Sequence, residues 1–299
     1  MQKTNTKDSD KSDVEGVSST SSLLTKNDSA FELVTWPTFD SFQNQLSEKV
    51  FALQSTRISP KLEKSHNITE LPFGNFNLGL HVNDNAKQVV ANRNNLVQFI
   101  NQTLQSDPLN ESCPAEIEIQ WLEQVHDNKV ADVIAVDGIP IVADASVTRQ
   151  KNIALAIMTA DCLPILLSHK SGNEVAAIHG GWRPLAGSII KETLDTMHSK
   201  PEEVVAWLGP CIGNEAFEVG VEVKNIFIKQ GDSFSTAFVK QANGQYLADL
   251  HQIAQMQLQS LGVTAISMLE ECTYQNTSKY YSYRKEQVTG RMATIICRR

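Results

Sequence analysis

The chain of 299 residues has no stretch of roughly 18 uninterrupted apolar residues, which excludes a membrane-spanning helix of ordinary length. It also lacks an apolar run within Met1 to Ala30, so no secretory signal is expected and the expected compartment is the cytoplasm. Basic residues are in deficit. Lys and Arg number 26 against 34 Asp and Glu, a formal net charge of -8, whereas general nucleic-acid binding needs a basic surface to neutralise phosphates. Cysteine is sparse and unpaired in pattern: Cys113, Cys162, Cys211, Cys272 and Cys297 are odd in number and contain no CxxC. That argues for reduced thiols over a disulfide framework and leaves some free for metal binding or catalysis. Internal repeats are absent, and no Pro/Gly linker divides the chain after Phe31.

What is present is a core-forming composition, 41% hydrophobic, enough for one large α/β domain or two smaller ones. One domain is the simpler reading. Residues 1–30 are a Ser/Thr/Asp/Lys mixture that reads as a flexible, disordered N-terminal tail, and residues 31–299 as the folded part. Strands are expected at Val50 to Thr56, Ile117 to Val125, Ile153 to Met158, Leu163 to Leu167, Val204 to Leu208, Ile266 to Leu269 and Met292 to Cys297. Helical periodicity covers Ala86 to Leu104, with Asp84 as its cap, and also Pro184 to His198, Glu215 to Gln230 and Tyr246 to Leu261, the last stopped by Gly262. Ile58 to Phe76 reads as a loop.

The chemistry concentrates where apolar runs end. Asp161-Cys162 interrupts two β-prone runs, a third ends on His179-Gly-Gly-Trp-Arg183, and the 117–125 strand stops at His126. A buried interior strand needs neither a thiol beside a carboxylate nor a His followed by two glycines, so these groups are expected at the rim of a sheet. If the strands share an edge, His126, Cys162 and His179 can converge on one metal; zinc accepts that set, and three protein ligands leave a fourth position open. The same residues also fit a buried Cys with two satisfied His. They fit, too, a cysteine hydrolase with Cys162 as nucleophile and His179 as base, for which His126 is dispensable. Arg57, Arg183, Arg284 and Arg291 are the cations suited to phosphate or carboxylate, against a background of ordinary surface ion pairs. Of Tyr280, Tyr281 and Tyr283, two are expected to pack and one is left for a ligand. Asn77 and His81 are candidates for orienting a substrate, or turn residues.

The motifs Asn77-Leu-Gly-Leu-His-Val82, Gln124-Val-His126, Thr159-Ala-Asp-Cys-Leu-Pro164, His179-Gly-Gly-Trp-Arg183, Leu208-Gly-Pro-Cys-Ile-Gly213, Phe217-Glu-Val-Gly220, Cys272-Thr273, Tyr281-Ser-Tyr-Arg284 and Thr289-Gly-Arg291 occur in order. Together they resemble the laccase-domain family, first described as multicopper polyphenol oxidases and now regarded as purine nucleoside phosphorylases. The resemblance spans about residues 31–299. It implies an α/β fold, a single mixed-sheet sandwich domain with flanking helices, and zinc held by His126, Cys162 and His179. It also implies phosphorolysis of adenosine, inosine and 5′-methylthioadenosine, and deamination of adenosine, with a purine nucleoside and phosphate as partners. The older label, copper-dependent oxidation of phenols, and a distant relation to cysteine deamidases remain as alternatives. Other zinc deaminases carry His-x-Glu and Pro-Cys-x-x-Cys, which this chain lacks, so Asp161 is the substitute proton carrier and, with Cys162, the catalytic pair expected here. Asn77, Arg183, Arg284 and Arg291 are the expected substrate contacts. Several positions depart from the family pattern: Ile58-Ser-Pro60 follows Arg57, Asp127 follows His126, Pro184 follows Arg183, and Lys285 follows Arg284.

Overall fold

The computed structural model describes residues 30–39, 45–60, 72–106 and 116–299. The expected N-terminal tail, apart from Ala30, lies outside the described residues, as do Cys113 and residues 61–71 of the expected loop.

Continuous apolar runs become strands buried on both faces. Among the described residues, five form one mixed sheet in the order β1 (Phe31–Leu33), β2 (Val50–Ser55), β16 (Met292–Arg298), β8 (Ile153–Thr159) and β3 (Glu118–Gln120). Six form a second: β15 (Ala265–Met268), β11 (Val204–Leu208), β9 (Leu163–His169), β10 (Val175–Gly180), β7 (Ala145–Thr148) and β5 (Val130–Asp132). Each combines parallel and antiparallel neighbours, β3–β8 and β11–β15 being parallel, β16–β8 and β9–β10 antiparallel.

The two sheets pack face to face. Leu155 and Ile157 of β8 and Ile296 of β16 meet Leu166, Val175, Ala177, Val205 and Trp207 of the second sheet in one core cluster. Because side chains alternate along a strand, Ala154 and Ala156 of the same β8 point the other way. They join Phe51, Leu53, Ala293 and Ile295 under Leu96, Phe99 and Ile100 of helix α2 (Ala86–Gln105), which follows the short α1 (Gln45–Lys49). On the far side, Leu163, Ile165, Leu167 and Ile178 are covered by Ile189, Ile190 and Leu194 of α4 (Ile189–Thr196) and by Ile253, Ala254 and Leu258 of α6 (Leu250–Ser260). The result is the expected α/β sandwich with flanking helices. Each fully buried Leu or Ile contributes roughly 1.5–3 kcal/mol to it.

Several boundaries differ from the sequence reading, each for a visible reason. The cap of α2 is Asn85, whose side chain accepts the N–H groups of Lys87 and Gln88; Asp84 instead accepts the Asn77 amide at 2.9 Å. The 117–125 strand breaks at Trp121, whose carbonyl accepts from Ile141, and resumes as β4 (Leu122–Glu123) paired with β6 (Ile141–Val142). The 184–198 helix is split into α3 (Trp182–Ala186) and α4, since Gly187 closes the first and Ser188 adopts φ 65°. The two later helices start late for a shared cause. β12 (Glu218–Val219) pairs with β14 (Tyr246–Ala248), and with β13 (Phe238–Lys240) they form a small sheet, so helix begins only at α5 (Val221–Ile228) and α6.

Candidate metal centre and cleft

Three chain segments deliver the His/Cys/His set. Cys162 lies in the turn joining β8 to β9, His179 is the penultimate residue of β10, and His126 follows β4 in a loop with φ 62°. Cys162 Sγ is 4.0 Å from His126 Nε2, the two imidazole rings meet edge to face at 4.7 Å, and one donor atom from each residue falls within 4.8 Å of the others. His179 is buried, Cys162 half-buried and His126 exposed, so the cluster is open on one side. Two imidazole nitrogens and a thiolate suit zinc or another first-row ion. The set fits for a further reason: His179 Nδ1 faces Asp144 Oδ1 at 2.8 Å, which places the Nδ1 proton on that side and leaves Nε2 for a ligand.

The electrostatics of the metal-free cluster favour a Cys162 thiolate held against a protonated His179, a proton that a bound metal would displace. Burial would push the Cys162 thiol up, yet His179 and His126 hold it down to about 6. Burial likewise opposes charge on His179, but Cys162 and Asp144 raise it to about 9. Asp144 is buried too, and still lies below the ordinary carboxylate range because His179 and the Asp127 and His126 backbone amides stabilise its charge. Gly181 is required by close approach: a Cβ there would stand 3.1 Å from Cys162 Sγ and 3.5 Å from His126 Cδ2.

The cluster forms one wall of a cleft of about 490 Å³, a size that accommodates a small organic ligand. Its lining includes Trp182, Phe217 and Tyr283 with Arg183, Arg284 and Arg291. The Arg183 guanidinium lies 4.4 Å from the Trp182 ring centroid, that of Arg284 5.4 Å from Phe217, and that of Arg291 5.9 Å from Tyr283. Arg291 is steadied by its own turn, Nη1 donating to the carbonyls of Thr289 and Gly290. His81 also lines the cleft; burial, Arg291 and Arg93 lower its pKa, which favours a neutral imidazole.

Other expected residues have different positions. Asn77 does not line the cleft: its Oδ1 accepts the N–H groups of Gly79 and Arg291, and its amide donates to Gly79 and Asp84. It holds Arg291 from outside that lining. Arg57 is also removed from the cleft, buried against the Tyr281 ring and donating to Glu286 and the Thr277 carbonyl. Tyr280 and Tyr281 are buried and Tyr283 is exposed, the expected two-to-one division. Asp161 lines the cleft with φ 95°, but both its oxygens are engaged, by the Thr273 hydroxyl and the Arg284 backbone N–H. Asp144 escaped the sequence reading. The signal was there: a lone acid among the small and apolar residues of Val142-Ala-Asp-Ala-Ser-Val147.

Fold and cleft thus define an α/β sandwich protein with a metal-suited His/Cys/His set at a sheet rim. Residues 62–299 match the family described as multi-copper polyphenol oxidoreductase laccase, and the chain belongs to that family. It is 39% identical over 254 residues to the purine nucleoside phosphorylase YfiH of Shigella flexneri, covering 84% of this chain and 95% of that one. To a purine nucleoside phosphorylase of Haemophilus influenzae it is 40% identical over 227 residues, 75% of this chain and 87% of the relative. The crystal structure of a Neisseria meningitidis protein superposes with a TM-score of 0.76 at 33% identity, covering 90% of this chain and 99% of that chain. YlmD of Geobacillus stearothermophilus gives 0.72 at 26% identity, over 86% and 94%. No helix among the described residues is long and apolar enough to cross a membrane.

Proposed function

We propose that this chain is a zinc-dependent purine nucleoside phosphorylase of the cytoplasm, acting on adenosine, inosine and 5′-methylthioadenosine and also deaminating adenosine, with residues 31–299 as its single domain. The observation that carries the reading is the juxtaposition, in one cleft, of the His126–Cys162–His179 set, three arginines and three aromatic faces. The names of relatives that match most of this chain, purine nucleoside phosphorylases, support the phosphorylase part of the reading.

Phosphorolysis joins a phosphate oxygen to C1′ of the ribose as the C1′–N9 bond breaks; the electron pair leaves on the purine, which then takes a proton from solvent. Two demands follow: an anion site, and a surface that holds the planar base while charge builds on it. Arg183, Arg284 and Arg291 answer the first; Arg291 is held most firmly, its guanidinium donating to two carbonyls and its backbone N–H to Asn77, whereas the Arg284 guanidinium donates to one carbonyl, that of Glu218. Trp182, Phe217 and Tyr283 answer the second by offering stacking faces. When bound, zinc supplies a Lewis acid at the cleft wall. With both oxygens of Asp161 occupied, this residue serves in our reading to position Arg284.

A second reading, a cysteine hydrolase using Cys162 and His179, draws support from the lowered thiol. His126 distinguishes the two, since a thiol–imidazole pair has no use for a third donor 4.0 Å from the sulfur. The copper oxidase reading needs several metal sites, and a single such cluster is found among the described residues. The test is phosphate-dependent release of hypoxanthine from inosine by zinc-loaded protein. Activity abolished by Cys162→Ala is expected; no release from the wild type contradicts the proposal.

A further inference from the structure

We infer that Asp144 is the positioning residue for both imidazoles of the His126–Cys162–His179 cluster, so that its carboxylate sets how tightly the cluster holds a metal. This rests on the reading of that cluster as a metal centre. Asp144 is fully buried beside β7, whose next residue, Ala145, is paired in register with Ile178 of β10. It therefore stands opposite His179, and its main-chain carbonyl accepts the His179 N–H at 2.8 Å.

The carboxylate faces four nitrogens. Oδ1 accepts the His126 backbone N–H at 3.0 Å and meets His179 Nδ1 at 2.8 Å; Oδ2 accepts the N–H groups of Val125 at 3.1 Å and Asp127 at 2.8 Å. An ionised carboxylate is acceptor-only, with about four lone-pair sites, so donors and acceptors match. The consequences differ for the two ligands. For His126, three successive N–H groups wrapped on one acid fix a loop in which a non-glycine residue sits at φ 62°. For His179, the contact fixes the ring plane and the tautomer, turning Nε2 toward Cys162. Two ligands from distant segments are thus registered on one anchor.

Asparagine at this position keeps the shape of the side chain but presents an NH₂ group to nitrogens that themselves donate, so at least one contact must open. The experiment compares zinc affinity, by competition with a chromophoric chelator, in the wild type, Cys162→Ala and Asp144→Asn. Asp144→Asn is expected to fold, to bind zinc about 10–100-fold more weakly, and to regain activity at saturating zinc, which a merely structural defect would not do. If Asp144→Asn does not fold, histidine ¹⁵N spectra of the zinc-loaded wild type decide: His179 must carry its proton on Nδ1. Unchanged affinity in Asp144→Asn, or a His179 without that proton, overturns the inference. A wild type that binds no zinc, or a Cys162→Ala protein that binds it equally well, overturns the metal reading itself and this inference with it.

Discussion

The Asp161 carboxylate accepts the backbone N–H of Arg284 at 2.6 Å across 123 residues of chain, while its other oxygen accepts the Thr273 hydroxyl at 2.7 Å. The main-chain carbonyl of the same residue accepts from Ile212 at 2.9 Å. Arg284 and Ile212, which both line the cleft, are therefore tied to the residue next to Cys162. Asp161→Asn takes the charge off the acceptor of the Arg284 N–H and makes the Thr273 hydroxyl turn to accept, at a cost of about 1.5–3 kcal/mol for the lost charged hydrogen bonds. A fall in kcat/KM of about 10–100-fold is expected, with zinc content unchanged. Steady-state kinetics and metal analysis on the same preparation check it, and wild-type kinetics in the variant would contradict the assigned role.

Arg291 carries the next expectation. If its guanidinium receives phosphate, Arg291→Ala raises the KM for phosphate by about 10–100-fold and leaves that for the nucleoside nearly constant. Arg291→Lys restores only part of the loss, because a single ammonium cannot hold the Thr289 and Gly290 carbonyls and an anion in one planar fork. Varying phosphate at saturating inosine separates the two constants.

At Gly181 the backbone itself tolerates a side chain, with φ at -63°. The obstacle is the 3.1 Å approach of a Cβ to Cys162 Sγ. Gly181→Ala should therefore weaken zinc binding while shifting unfolding free energy by less than about 1 kcal/mol. Chelator competition and denaturant melts, run together, test the separation; a stability loss with intact zinc affinity would contradict it.

Away from the cleft, Glu174 is buried and ties Arg149, at 2.5 Å, to the His198 and Ser199 N–H groups at 2.9 and 3.0 Å. Burial would raise its pKa, but Ser199, His198 and Arg149 bring it below the ordinary 4.5. A depressed folded-state value means the stabilisation is complete above about pH 4.5 and is lost as pH falls through the lower value. Glu174→Gln should cost about 2–3 kcal/mol near neutral pH, and the gap to the wild type should narrow in acid. Denaturant melts across that range measure it; a constant gap would count against the assignment.

Much of this arrangement was legible in the sequence because strands buried on both faces leave unbroken apolar runs. Ile153 to Met158, Leu163 to Leu167 and Val204 to Leu208 could be read directly, and so could the reactive residues that end them. Periodicity failed where short strands precede helices. Glu218–Val219 and Tyr246–Ala248 look helical until their mutual pairing is known, which is a long-range fact. Caps failed by one position, since Asp84 and Asn85 are both competent and only the placement of Asn77 decides between them. At the site, the ligating types were visible, but the division between residues that face the cleft and residues that hold them was not. Asn77, Asp144 and Asp161 each support a neighbour, and that role is set by hydrogen bonds between segments far apart in sequence.

The most direct test of the account is a cobalt(II) titration of the purified metal-free protein followed by absorption spectroscopy. A thiolate-to-metal charge-transfer band should saturate at about one equivalent, disappear in Cys162→Ser, and weaken sharply in His126→Ala and His179→Ala. A band that survives Cys162→Ser, or a wild type that takes up no cobalt, would contradict a shared centre for these three side chains.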